Sequence, residues 1–120
     1  MIRVLLVDEH RIFRQALAFM LEREPDISAV GQAETWADAR TTLADADVAI
    51  LDGGFPSVAT QETIEQLRVV NPRARVIILA WTGGSSGDTC ADVVLPTSAR
   101  LGDIIRLVRR LGAPLQLAQQ

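Results

Sequence analysis

Two runs in this chain, Val4-Leu5-Leu6-Val7 and Val48-Ala49-Ile50-Leu51, carry no polar residue at alternate positions. A strand that is apolar on both sides must be covered on both faces, which is the condition of a parallel sheet between layers of helices. Each run stops at acid: Asp8-Glu9 follows the first and Asp52 the second. In a parallel sheet, neighbouring strand ends open into one crevice where ligands bind. Three carboxylates at such a crevice predict an acidic pocket that wants a hard cation, a phosphoryl group, or both. Two unit charges ~4 Å apart repel by about 4 kcal/mol at a surface-like dielectric. Clustered carboxylates therefore raise a pKa or recruit a cation. Mg²⁺ suits the second outcome, because it binds through one or two carboxylates, keeps waters and shares phosphate oxygens. A carboxylate held on such a metal can attack a phosphoryl donor and become an acyl phosphate.

The rest of the chain alternates strand and helix. From His10 to about Arg23, Ile12, Phe13, Ala16, Leu17, Met20 and Leu21 recur at helical spacing, and Pro25 stops that helix. Ile27–Ala33 reads as a weaker strand near an edge. Thr35 caps a helix to about Ala44, with Trp36, Ala39 and Leu43 on one face. After the strand Val48–Leu51 comes a loop, Gly53-Gly54-Phe55-Pro56. A helix then runs from about Ala59 to Val70, with Ile64 and Leu67 inward. Arg75–Ala80 is the fourth strand and Asp92–Leu95 a short fifth. Only eleven residues, Trp81 to Ala91, separate the two. A right-handed crossover needs about a dozen, usually with a helix, and the glycines here oppose one. That crossover helix is expected to be lost or cut to a turn. A last helix, about Ser98 to Arg110, carries Leu101, Ile104, Ile105, Val108 and Leu111. Five strands alternating with helices predict a flavodoxin-like doubly wound α/β domain with a five-stranded parallel sheet of order 2-1-3-4-5. That order sets the first strand beside the third and brings Asp8, Glu9 and Asp52 together.

Composition narrows the function. A length of 120 residues makes one domain. The net charge of -3 gives no electrostatic case for holding nucleic acid. All twelve basic residues are Arg, with no Lys. Cys90 is the single cysteine, which excludes an internal disulfide and fits a reduced compartment. It reads as a small packing residue. No apolar run approaches the ~18 residues of a membrane span, and the chain enters a strand with no signal-peptide pattern. The expectation is a cytoplasmic domain with no membrane partner. His10 reads as a loop residue before a helix. Arg106, Arg109 and Arg110 read as the solvated face of the last helix, opposite a packed or dimerising face.

The stretch Ile2-Arg3-Val4-Leu5-Leu6-Val7-Asp8-Glu9-His10-Arg11-Ile12-Phe13-Arg14 resembles the start of the receiver domain of two-component response regulators. The His after the acidic pair and the Phe-Arg beyond resemble the NarL/FixJ branch, which carries a LuxR-type helix-turn-helix output. Glu24-Pro25-Asp26-Ile27, Val30-Gly31, Ala33 and Leu51-Asp52 with Pro56 continue the likeness, which is strong for the first 80 residues and poor beyond. The resemblance implies that Asp52 is the phosphoacceptor. It also implies that Glu9 ligates Mg²⁺ directly, Asp8 through water, and the Gly54 backbone carbonyl as a further ligand.

Four positions depart from the pattern. The family places Ser or Thr at the end of the fourth strand to hydrogen-bond the phosphoryl oxygen; this chain has Ala80. The next position, normally small, is Trp81. The family's Lys at the end of the fifth strand aligns with Thr97, and its switch aromatic with Val94. A phosphorylation switch needs two states that the new group tells apart, and these losses lie along one route. The expectation is an atypical receiver of residues 1–111. A linker begins at 112–120 and leads to a DNA-binding output domain outside this chain. Regulation is expected to be independent of phosphorylation, through homodimerisation by the first and last helices or through ligand binding, with Mg²⁺ weakly held or absent. Two alternatives stay open: a phosphotransfer module modified at Asp52 by a histidine kinase, and a small-ligand sensor with Trp81 in its pocket. An enzyme is not expected. A phosphohydrolase wants a second acid two residues after its nucleophilic Asp, and those positions are Gly54 and His10.

Overall fold

Both faces of the apolar runs are covered. The computed structural model describes residues 1–39, 45–52, 57–80, 91–96 and 98–112. Among them the strands are β1 (Ile2–Val7), β2 (Ile27–Ala33), β3 (Val48–Asp52), β4 (Arg75–Ala80) and β5 (Val93–Pro96). The helices are α1 (Arg11–Glu22), α2 (Trp36–Ala39), α3 (Ser57–Val70) and α4 (Leu101–Gly112). The five strands form one parallel sheet in the order β2-β1-β3-β4-β5. This is the predicted doubly wound topology, with β2 at an edge. The crossover between β4 and β5 lies at residues 81–90, outside the described residues.

Alternate side chains of the strands feed two cores. Leu5, Val7, Ala49, Leu51, Val76 and Ile78 pack with Ala39 of α2 and with Ile64 and Leu67 of α3. Val4, Leu6, Val48, Ile50, Ile77 and Leu79 pack on the other face with Leu17, Ala18 and Leu21 of α1 and with Ile104 and Val108 of α4. Each fully buried Leu or Ile contributes about 2 kcal/mol of transfer free energy. Thr35 caps α2 as expected, its Oγ1 accepting the Asp38 N–H at 3.3 Å. Gly112 ends α4 against Ile2, where an added Cβ would lie 2.5 Å from Ile2 Cγ2.

Three helices differ from the sequence reading, α3 by beginning at Ser57 rather than about Ala59. The last helix begins at Leu101 rather than Ser98. The Arg100 carbonyl accepts the Ile104 N–H, and the Asp103 carboxylate accepts the Arg100 N–H, so the chain caps at Arg100. In α1 the buried face is Arg14, Leu17, Ala18 and Leu21. Ile12, Phe13, Ala16 and Met20, which share the helical spacing with Leu17 and Leu21, are exposed.

Ion pairs tie the elements together at the sheet's ends. The half-buried Asp92 carboxylate accepts the Val76 N–H at 2.7 Å and lies by Arg68 and Arg75. Burial works to raise its pKa, but the Val76 N–H and the two guanidinium groups outweigh that and hold it below the usual value. Arg109 of α4 reaches Asp26 at 2.9 Å and Glu24 at 2.6 Å, on the turn that leads from α1 into β2. The Arg109 hydrogen bond holds the Asp26 carboxyl below its ordinary 3.8. A depressed carboxylate stabilises the fold above its unfolded value and loses that contribution as pH falls through the folded one. Urea unfolding of Arg109→Met is therefore expected to show a modest stability deficit at neutral pH that closes in acid. A deficit that does not vary with pH would contradict the pairing.

Candidate functional site

The register of β1 against β3 builds the site. Val7 lies opposite Leu51, so Asp8, just past β1, and Asp52, the last residue of β3, stand at the same end of the sheet. The Asp8 backbone N–H donates to the Ala33 carbonyl at 2.9 Å, which ties it to β2. Its carbonyl accepts a hydrogen bond from Arg14 Nη1 at 2.6 Å, and Arg14 Nε donates to Gln32 Oε1 at 3.3 Å. Arg14 is buried in the first turns of α1. It holds the end of β1 from below with a permanent charge.

His10 closes the top of the pocket. Its backbone N–H donates to Asp8 Oδ1 at 2.7 Å, and its Nδ1 lies 2.9 Å from the same oxygen. Nδ1 also lies 3.5 Å from Asp52 Oδ2. The Asp52 side chain is only 5% exposed, against 47% for the ring. Donor atoms from Asp8, His10 and Asp52 all lie within 4.8 Å of one another. The Asp8 hydrogen bond raises the His10 pKa, and the charges of Asp8, Asp52 and Glu9 add to it. A small cavity beside them is lined by Asp8, Arg14 and Asp52 together with Leu6, Phe13, Ile50 and Leu79. Charges that are largely buried, as the Asp52 carboxylate is, interact more strongly than in water.

The predicted site residues fall in different places. Asp8 and Asp52 come together. Glu9 is exposed and stands outside the three-donor group. Ala80 is the last residue of β4, opposite Pro96. Val94 is half-buried and packs against the core on the α2–α3 face. Gly54, Trp81 and Thr97 lie outside the described residues. Two residues that sequence reasoning did not place in the site are part of it. His10 was read as a loop residue, and Arg14 only as part of the family likeness. A charged residue in phase with Leu17, Ala18 and Leu21 was the available signal for Arg14.

The donor set bears on the Mg²⁺ that the receiver likeness implies. Mg²⁺ wants near-octahedral oxygen ligands and keeps several waters. Among the described residues the pocket offers two carboxylates and an imidazole nitrogen, and Asp8 Oδ1 already accepts from His10. The two carboxylates can hold Mg²⁺ with water filling the remaining positions, the ring nitrogen being the donor that Mg²⁺ does not favour.

No family model matches the chain. Over 97 residues it is 34% identical to the DNA-binding transcriptional activator DevR/DosR of Mycobacterium tuberculosis, an alignment covering 79% of this chain and 44% of that one. The chain thus spans less than half the length of that relative. Its fold superposes on a LuxR-family DNA-binding response regulator from Staphylococcus aureus with a TM-score of 0.80 at 14% identity, covering 93% of this chain and 99% of that one. A response regulator from Burkholderia pseudomallei, solved with a phosphorylated aspartic acid, a calcium ion and citrate, gives 0.77 at 21% identity, covering 99% of this chain and 73% of that one.

Removing the brace beneath the pocket tests its construction. Arg14→Ala would leave the Asp8 carbonyl and Gln32 without their donor inside the fold, at a cost of about 2 kcal/mol. Chemical denaturation is expected to show that loss, while His10→Ala, at a half-exposed ring, stays within about 1 kcal/mol of the parent.

Proposed function

We propose that this chain, which belongs to the receiver-domain family of response regulators, is the input module of a transcriptional regulator of the NarL/FixJ type and works by pairing with a second copy of itself, without phosphorylation. The observation that carries this reading is the outer face of α1. Ile12 is 86% exposed and Phe19 63%, with Phe13 and Met20 about half as much. Ile12, Ala16 and Phe19 are spaced at four and then three residues, so they make one stripe along the helix. A contiguous apolar stripe of this kind marks an interaction surface more often than a solvated one. α4 packs on the same face of the sheet as α1, and the Arg109 clamp joins its last turn to the end of α1. The pairing surface proposed for α1 is flanked by α4 on that face of the sheet.

Independence from phosphorylation is supported by what the chain lacks. It has no Lys to neutralise a phosphoryl group. Ala80 and Val94 stand where the family's hydroxyl and aromatic would respond to one. His10 Nδ1 lies within 3.5 Å of both carboxylates, so a cation there has to displace the ring. DNA contact belongs to an output domain outside this chain. A second reading is favoured by the retention of Asp52 at the strand end: a histidine kinase phosphorylates it slowly, with no change in association.

Sedimentation velocity tests the pairing. The domain is expected to be a concentration-dependent dimer that acetyl phosphate with Mg²⁺ does not tighten. Phe19→Glu is expected to weaken self-association by about tenfold or more with little effect on Tm, because the residue is already solvated. A monomer at all concentrations, or a dimer formed only after acetyl phosphate, would overturn the reading.

A further inference from the structure

We propose that α1 pairs with α1 of a second copy antiparallel to it, about a twofold axis at Ala16, and that Arg11 and Glu22 are the residues that select this partner. The proposal rests on the self-association argued above and adds its orientation, its register and its specificity.

The outer face of α1 has a definite layout. Arg14, Leu17, Ala18 and Leu21 are turned into the domain. At 3.6 residues per turn, Ile12, Ala16 and Phe19 form the middle of the opposite face. Phe13 and Met20 flank them on one side, and Arg11 and Glu22 on the other. All of these residues are exposed. From Arg11 to Glu22 is about three turns, so the two charges share a flank about 16 Å apart.

That face is complementary to itself. Ile12 with Phe19, Phe13 with Met20, and Arg11 with Glu22 are each centred within one residue of Ala16. Glu9 and Arg23, exposed just outside the helix, are centred on it too. A twofold contact requires this arrangement, because residue i then meets residue j and j meets i. In an antiparallel pair, each flank faces the same flank of the other helix. Phe13 therefore meets Met20 of the second copy, and Arg11 meets its Glu22. Ala16 has the smallest side chain of the face and lets the axes approach to about 8 Å. The steps of four and then three residues from Ile12 to Phe19 are those of a coiled-coil seam.

Charge decides the direction. In a parallel pair, Arg11 would meet Arg11 and Glu22 would meet Glu22, and Glu9 and Arg23 would do the same. Reversing one helix turns each of these like-charge contacts into an attractive one. Arg11 Nη2 already donates to Glu34 Oε1 at 3.0 Å in its own domain. A guanidinium has five N–H donors and can serve a second carboxylate as well. Charges at the rim of an interface govern the choice of partner more than the affinity. The apolar stripe thus supplies attraction, and the charged flank restricts it to an antiparallel copy of the same helix. Helices of twelve residues make a contact at the low end of interface size, which gives weak, concentration-dependent pairing.

The whole 120-residue chain is followed by sedimentation velocity at low salt, where surface charges are least screened. Arg11→Glu and Glu22→Arg are each expected to weaken self-association by about tenfold, and the double variant to recover most of it. Glu22→Arg stands alone if Arg11→Glu, placed beside Glu34, is poorly folded. A second measurement uses Cys90→Ser as the parent and mild oxidation. Ala16→Cys is expected to give a disulfide-linked dimer, and Glu22→Cys none, because its two thiols would lie about 16 Å apart. A dimer that ignores both charge reversals, or that Glu22→Cys links and Ala16→Cys does not, would overturn the arrangement while leaving self-association standing. A parent chain that stays monomeric would remove both.

Discussion

The pairing of β1 with β3 is the constraint on which the site depends. Because Val7 sits opposite Leu51, two carboxylates must emerge together at the same end of the sheet. Parallel pairing, burial on both faces and the crossover helices follow from the apolar runs that precede those acids. A slip of one residue would move every side chain of β1 to the other face. It would exchange the two cores and separate Asp8 from Asp52. The fold's stability and the site's geometry are thus set by the same ladder of hydrogen bonds.

Two like charges at a strand end create a need that the chain meets from its own residues. Arg14 holds the Asp8 carbonyl from below, and His10 approaches the carboxylates from above. The ring is drawn inward because its backbone N–H is already bound to Asp8 Oδ1, which leaves Nδ1 close to the same oxygen. A pocket closed in this way differs from one that waits open for a hard cation and a phosphoryl group. The lack of Lys, and Ala80 and Val94 at positions where the receiver pattern has reporting groups, point the same way. In the proposed reading, the pocket's charge is handled inside the domain and contact with a second copy falls to the outer face of α1.

Much of this was legible in the residues. The two unbroken apolar runs announced buried parallel strands, and Ile64 and Leu67 of α3 were placed inward correctly. The strand order followed from the alternation of elements. α1 was harder because its apolar residues outnumber what one face can bury. Periodicity alone does not say that Arg14 is inside while Ile12 and Ala16 are outside. That choice is made by the Asp8 carbonyl and Gln32, tertiary partners that a pattern of hydropathy does not contain. His10 is, as read, the loop residue before α1, but its closeness to the carboxylates was not legible. Its ring direction depends on the Asp8 hydrogen bonds and on Asp52, distant in sequence but adjacent in space. The start of α4 shifted because Asp103 caps Arg100, a local bond that overrode the helical spacing.

The central claim is that His10, rather than a hard cation and a phosphoryl group, completes the pocket between Asp8 and Asp52. Its most direct test is a crystal structure grown with excess Mg²⁺ and beryllofluoride, no transition metal being added. The account predicts the His10 ring between the two carboxylates and Asp52 unmodified. Beryllofluoride on Asp52, with Mg²⁺ held by Asp8 and Glu9 and His10 turned away, would contradict it.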